Sequence, residues 1–400
     1  MNAHKTLLIL IVVNPEIDFL ITIERASKSK LKDSLNYHAL RRSGTTILNT
    51  VLIGKLKNSS LKKQCINLMC KVVKNASKVL SVLSLSCFFN IAGTAYAADL
   101  PIFVLNSLDA NVSVIDPQDW SEIKKIPTGK EPHHLYLTPD EKSVIVANAG
   151  SNSLTFIDPK TANVQRVVKN TLDPYQLRFS PDMKWFVTVG NRLNHIDIYS
   201  WNGTDLTIIK RIPSDKTPSH LWISADSQTV YATMQDSNEL VAVDLPTQTM
   251  KWRIKTGALP ADVFGTPDGK SLLVGLTGGR EVQVFDITKN PAQLSRAIAT
   301  GEGAHAFRAL GDSKHIFVSN RVSNTISLID YTTFKVVKEF NAPGGPDCME
   351  VSADQKKLFI SSRWIGKMSV VDIETGKLLK QVKVGKSPHG IWTLEHAKRI

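Results

Sequence analysis

From residue 98 onward the apolar residues come in short runs, many alternating with polar ones, with Pro, Gly, Asn, Asp and Ser between them. That pattern predicts short strands joined by tight turns, and no stretch carries the spacing of a long amphipathic helix. The runs repeat. Pro132, Pro174, Pro218, Pro260, Ala304, Pro346 and Pro388 are spaced by 42, 44, 42, 44, 42 and 42 residues. Eight positions after most of them stands an aspartate: Asp140, Asp182, Asp226, Asp268, Asp312 and Asp354. Each unit reads P-x-x-Φ-x-Φ-[ST]-[PA]-D, then a turn, then strands such as SVIVAN, SNSLTFID and VQRVV. A repeat of about 43 residues with four strands of period two is the signature of a β-propeller blade.

Counting the units predicts a closed ring. Six complete copies run from Pro132 to Ser387, and the seventh is split between the two ends of the repeat region. SPHGIWTLE supplies its first strand, and PIFVLNSLDANVSVIDPQDWSEIKKI supplies the other three. The expected fold is all-β: a seven-bladed propeller over residues 98–400, closed by N- and C-terminal strands in one blade, with no open sheet edge.

Charge changes the picture mainly by where it lies. Residues 1–97 hold 14 Lys and Arg against 4 Asp and Glu, leaving 35 against 32 in the rest, so the formal +13 is not a property of the propeller. No nucleic-acid partner is expected from so balanced a surface. The basic segment reads as a leader over 69–97. MCKVVKNASK is a positive opening, VLSVLSLSCFFNIA a short apolar core, and Ala95 and Ala97 an A-x-A site predicting cleavage before Ala98. Cys87 is a weaker lipidation candidate, because Ser84 stands where a larger aliphatic residue is usual. A leader preceded by 68 residues implies a native start at Met69, with residues 1–68 a non-native upstream extension. The alternative is an anchor at LLILIVV, which Pro15, Glu16 and Asp18 cut short. Export to the periplasm or medium is therefore expected, with no membrane span in the mature chain. Cys348 is the one cysteine after residue 97, so no internal disulfide is available there.

The units IVANAGSNSLTFIDPKTANVQRVV and FVSNRVSNTISLIDYTTFKVVKEF, with VGKSPHGI at 384–391, resemble the YVTN-type repeat of YncE-like propellers. NRLNHIDIYSWNG and GGREVQVFDITKNPAQLS depart from its S-N-T core. The resemblance covers residues 98–400 and implies a bacterial envelope protein. More distantly, the chain is similar to the haem-binding propeller of cytochrome cd-type nitrite reductases.

In a propeller the residues after each repeat proline ring one mouth of the central channel. Directly after it stand His133, Tyr175, Ser219, Ala261, His305, Asp347 and His389; next come His134, Gln176, His220, Asp262, Ala306, Cys348 and Gly390. Loops between second and third strands add Asn148, Asn191, Gln235, Asn320, Arg321 and Arg363. Imidazole, thiolate and carboxylate are the ligand set of zinc, copper or iron. The competing reading is that a histidine after the proline is part of the repeat and bonds the neighbouring blade's backbone. His134 and His220 fit the repeat less well than His133, which makes them the metal candidates. Arg321 and Arg363 could grip a carboxylate or phosphate, or pair with an acid of the adjoining blade.

No G-x-S-x-G, P-loop, H-E-x-x-H or C-x-x-C-H occurs in residues 98–400. Trp222 and Trp392 share one position of the inner strand and read as blade packing. The expected function is a binding or scaffold module presenting its rim to a protein or small molecule, as a monomer. The alternative is an enzyme or redox accessory protein using a metal, a haem-like cofactor or a lactone at the same mouth. There His134 or His220 would be the base, Asp262 or Asp347 its orienting partner, and Arg363 the anion stabiliser.

Overall fold

The computed structural model describes residues 100–399 and three N-terminal strands, Leu7–Asn14, Ile17–Ile23 and His38–Ala39. The chain divides into two units, Met1–Thr94 and Ala95–Ile400. In the first, the three strands form one antiparallel sheet, with LLILIVVN as its first strand. The leader and its cleavage site lie outside the described residues. No helix among the described residues is long and apolar enough to cross a membrane.

The second unit is the expected ring of seven four-stranded antiparallel blades. Blades I to VI open at Pro132, Gln176, Pro218, Pro260, Ala304 and Pro346. Blade VII pairs Pro388–Thr393 with Ile102–Asn106, followed by Asn111–Ile115 and Glu122–Pro127. Closure by both chain ends is thus realised. Trp392 and Phe103 are buried together across that junction.

The strands do not all alternate as the repeat pattern suggests. Second and third strands such as Val144–Asn148 and Ser153–Ile157 are buried at every residue, because each blade is covered by a neighbour on both faces. Period two survives in outer strands such as Thr249–Lys255, which alternate exposed with half-buried residues. In all seven blades the register of the outer pair slips by one residue, a bulge that deepens the twist.

The Asn of the S-N-T core has a mechanical cause. Asn152, Asn194, Asn238 and Asn324 sit in the left-handed region, which Asn tolerates better than most residues. Their side-chain oxygens accept backbone N–H groups of Asp173, Thr217, Leu259 and Gly344, just before the following blade. One residue thereby sets both the hairpin and the approach to the next inner strand.

A candidate ligand site at the channel mouth

Six inner strands carry a second bulge, between the opening residue and the third residue after it. In an unbroken strand, successive side chains point to opposite faces. The bulge turns two consecutive residues toward the channel, which is why both residues after the proline belong to the mouth.

Asp347 is its electrostatic centre. Its Oδ2 accepts from Arg321 at 2.7 Å and from Arg363 at 3.1 Å, while Oδ1 lies 3.2 Å from His305 Nδ1 and 3.3 Å from His389 Nε2. Burial works to raise this carboxyl, but the Arg321 and Arg363 guanidinium groups outweigh it and hold it well below the usual carboxylate range. Arg321 of blade V thus pairs with an acid of the adjoining blade VI, whereas Arg363 pairs within its own blade.

Five histidines complete the cluster. His133, His220, His305 and His389 are buried and His134 half-buried. Burial is the main cause that pushes all five below the usual imidazole range. Each has one ring nitrogen without a hydrogen-bond partner: His133 Nδ1, His134 Nε2, His220 Nε2, His305 Nδ1 and His389 Nε2. The His133 and His389 rings lie 3.6 Å apart between centroids, tilted by 41°, and His134 meets His220 edge-on at 4.8 Å. Two sets of donor atoms lie close enough to share an ion: His133, His134 and His389, and His305, Asp347 and His389. His220 belongs to neither.

The residues behave differently from one another. His389 Nδ1 donates to the His133 carbonyl at 2.8 Å, the inter-blade backbone bond expected of a repeat histidine. His220 Nδ1 meets Ser219 Oγ at 2.9 Å. Asp262 accepts from the Val263 and Phe307 N–H groups, and orients neither His134 nor His220. Cys348 lies 3.6 Å from His389 Nδ1, and burial foremost, with Asp347 and Asp262, pushes its thiol well up. It is a poor thiolate as it stands. Asn148 and Asn320 are tied to hydroxyls of their own hairpins.

Beneath the mouth is a cavity of about 100 Å³, bordered by His134, His220, Asp262 and Cys348 and continuing to Arg178, Arg308 and Arg399. Sequence reasoning missed this far end. Buried Arg308 donates to Glu350 at 2.5 Å and to the Ala397 carbonyl at 2.7 Å, and Arg399 also reaches Glu350. Arg178 lies over the Trp222 ring at 4.6 Å. The available signal was a charge at the inner-strand position that carries Tyr136, Trp222, Phe264 and Trp392 in the other blades.

The family profile described as YNCE-like beta-propeller matches residues 65–399. No curated protein matches the chain. Among solved structures, a functionally unknown protein from Desulfotomaculum acetoxidans is similar at 18% identity and a TM-score of 0.65, covering 76% of this chain and 100% of that one. The periplasmic gluconolactonase of Pseudomonas aeruginosa is similar at 16% identity and 0.64, covering 75% and 99%. A dihydro-haem d1 dehydrogenase is similar at 16% identity and 0.58, covering 76% and 78%. At these identities the likeness is one of fold.

Proposed function

The chain belongs to the YNCE-like β-propeller family, and on that premise we propose that it is an exported binding module that takes its ligand at this channel mouth. The observation that carries the reading is the set of five imidazoles, each with an unpartnered ring nitrogen. Buried polar atoms without partners are costly, so five around one opening point to a ligand that satisfies them. The same face suits a larger partner. Leu108, Leu193, Val322 and Trp364 stand exposed on loops around the mouth, giving it an apolar rim. Protein purified from the envelope of its own cell should carry a non-covalent adduct in native mass spectrometry. Replacing His134 and His220 together by Ala should remove it. A bare chain mass in the wild type, or an adduct untouched by the double substitution, overturns the reading.

Lactone hydrolysis is a second reading, favoured by the convergence of Arg321 and Arg363 on one carboxylate oxygen, with Arg321 Nε still unpartnered. Two guanidinium groups could steady an oxyanion, and neutral His134 could act as base. The fold likeness to a gluconolactonase supports the choice of substrate class. Gluconolactone opening at the uncatalysed rate in the presence of wild-type protein excludes it.

A further inference from the structure

His389 has a tautomer problem that only a cation solves. A carbonyl oxygen can only accept, so the 2.8 Å contact to His133 places the proton of a neutral His389 on Nδ1. Nε2 then presents a lone pair to Asp347 Oδ1 at 3.3 Å, an approach of two acceptors. His305 Nδ1 meets the same oxygen at 3.2 Å without forming a hydrogen bond. Either a second proton or a metal ion must lie between these atoms.

We propose that His305, Asp347 and His389 form a mononuclear site for a divalent transition-metal ion such as zinc, with Asp347 Oδ1 as the ligand oxygen between the two imidazoles.

Two of the three donor separations match such an ion, and the third lies within 4.8 Å. Ligands 2.0–2.2 Å from tetrahedral zinc are about 3.3–3.5 Å apart, and the Nδ1–Oδ1 and Oδ1–Nε2 edges are 3.2 and 3.3 Å. The set is the common one of two imidazoles and a carboxylate, with coordination positions left open for a ligand in the channel. Its outer partners already stand in place. The His133 carbonyl receives the remaining N–H of His389, and Arg321 and Arg363 hold the other oxygen of Asp347. Such contacts fix ring orientation in metal sites. All three donor residues are buried, so water competes little for the ion. The alternative trio of His133, His134 and His389 offers no carboxylate to balance the charge of the ion.

This proposal rests on the mouth being the binding site and adds what its ligand would coordinate. Chelator-treated full-length protein should take up one equivalent of Zn²⁺ in calorimetry, and Co²⁺ should give visible absorption bands. His305→Gln and Asp347→Asn should each weaken Zn²⁺ by at least about 100-fold, beyond the loss typical of an outer partner. Circular dichroism on both variants keeps misfolding apart from ligand loss. Metal uptake that survives both substitutions, or that is lost in His134→Ala while His305→Gln retains it, overturns the assignment. So does a wild-type protein that takes up no metal and shows His389 doubly protonated by its ring ¹⁵N shifts at neutral pH. An envelope adduct that persists in His305→Gln but disappears in the His134 and His220 double variant would remove the metal and leave the binding reading intact.

Discussion

Glu350 sits at the far end of the channel with no solvent exposure, held between Arg308 and Arg399. Burial favours its neutral form, yet Arg308 and Arg399 outweigh burial and hold the carboxyl below its ordinary range. Burial likewise brings Arg308 down to about 10, so the pair is charged at neutral pH. A carboxyl whose folded pKa is depressed stabilises the fold above its unfolded value, about 4.3, and loses that contribution as pH falls through the folded value. The urea midpoint of the wild type should therefore drop below about pH 4. Glu350→Gln leaves Arg308 buried without a counter-charge and should cost ~3–5 kcal/mol at pH 7 while flattening that acid slope. An acid slope unchanged in the variant would place the responsible group elsewhere. At this scale the sequence was only partly readable. The repeat spacing located His305, Asp347 and His389 at one mouth, because position in the repeat is position on the ring. It could not show that one carboxylate gathers four side chains from blades V, VI and VII, since that depends on rotamers and on the inner-strand bulge. Arg308 and Glu350 carry no such marker: they stand at the inner-strand position that is aromatic in four other blades, and only folding shows that it faces the channel.

The turn that gives each blade its aspartate is the clearest case of an element legible in advance. Thr138 Oγ donates to Asp140, which accepts the Lys142 N–H, and Ser180 with Asp182 and Ser352 with Asp354 repeat the arrangement. The residue after the aspartate is left-handed in every copy, as in Glu141, Met183, Ser227, Ser313 and Gln355, and only blade IV uses glycine there. A left-handed L-residue costs roughly 1–2 kcal/mol, whereas glycine's extra unfolded freedom costs about 0.5–1. Exposed Met183 should therefore tolerate glycine with a gain of about 0.5–1 kcal/mol in urea unfolding. Gly269→Ala should lose a similar amount. Its φ is +67°, and an added Cβ would meet nothing within 4 Å, so the loss would be backbone strain alone. A neutral Met183→Gly and a neutral Gly269→Ala would together refute this account of the turn. The middle strands were less legible, because burial on both faces erases the alternation that marks a strand.

Over the whole propeller, stability depends on closing the ring with strands far apart in sequence. Pro388–Thr393 pairs with Ile102–Asn106, and the segment that follows bonds back across blades V and VI, with Ala397 N–H donating to the Val351 carbonyl. Ending the chain at Lys383 would remove at once the inner strand of blade VII, the Trp392 packing and the Ala397 and Lys398 carbonyls that accept from Arg308. It would leave Ile102–Asn106, apolar at four of its five residues, as the uncovered inner edge of a three-stranded sheet. Unpaired apolar edges recruit other chains. The truncated protein should therefore elute as large oligomers in size-exclusion chromatography with light scattering. A chain beginning at Ala98 keeps every strand of the seven blades. It should elute as a monomer and melt at the same temperature as the propeller of the full-length protein. A monomeric, wild-type-like protein ending at Lys383 would show that the other six blades hold the ring without the seventh's inner strand.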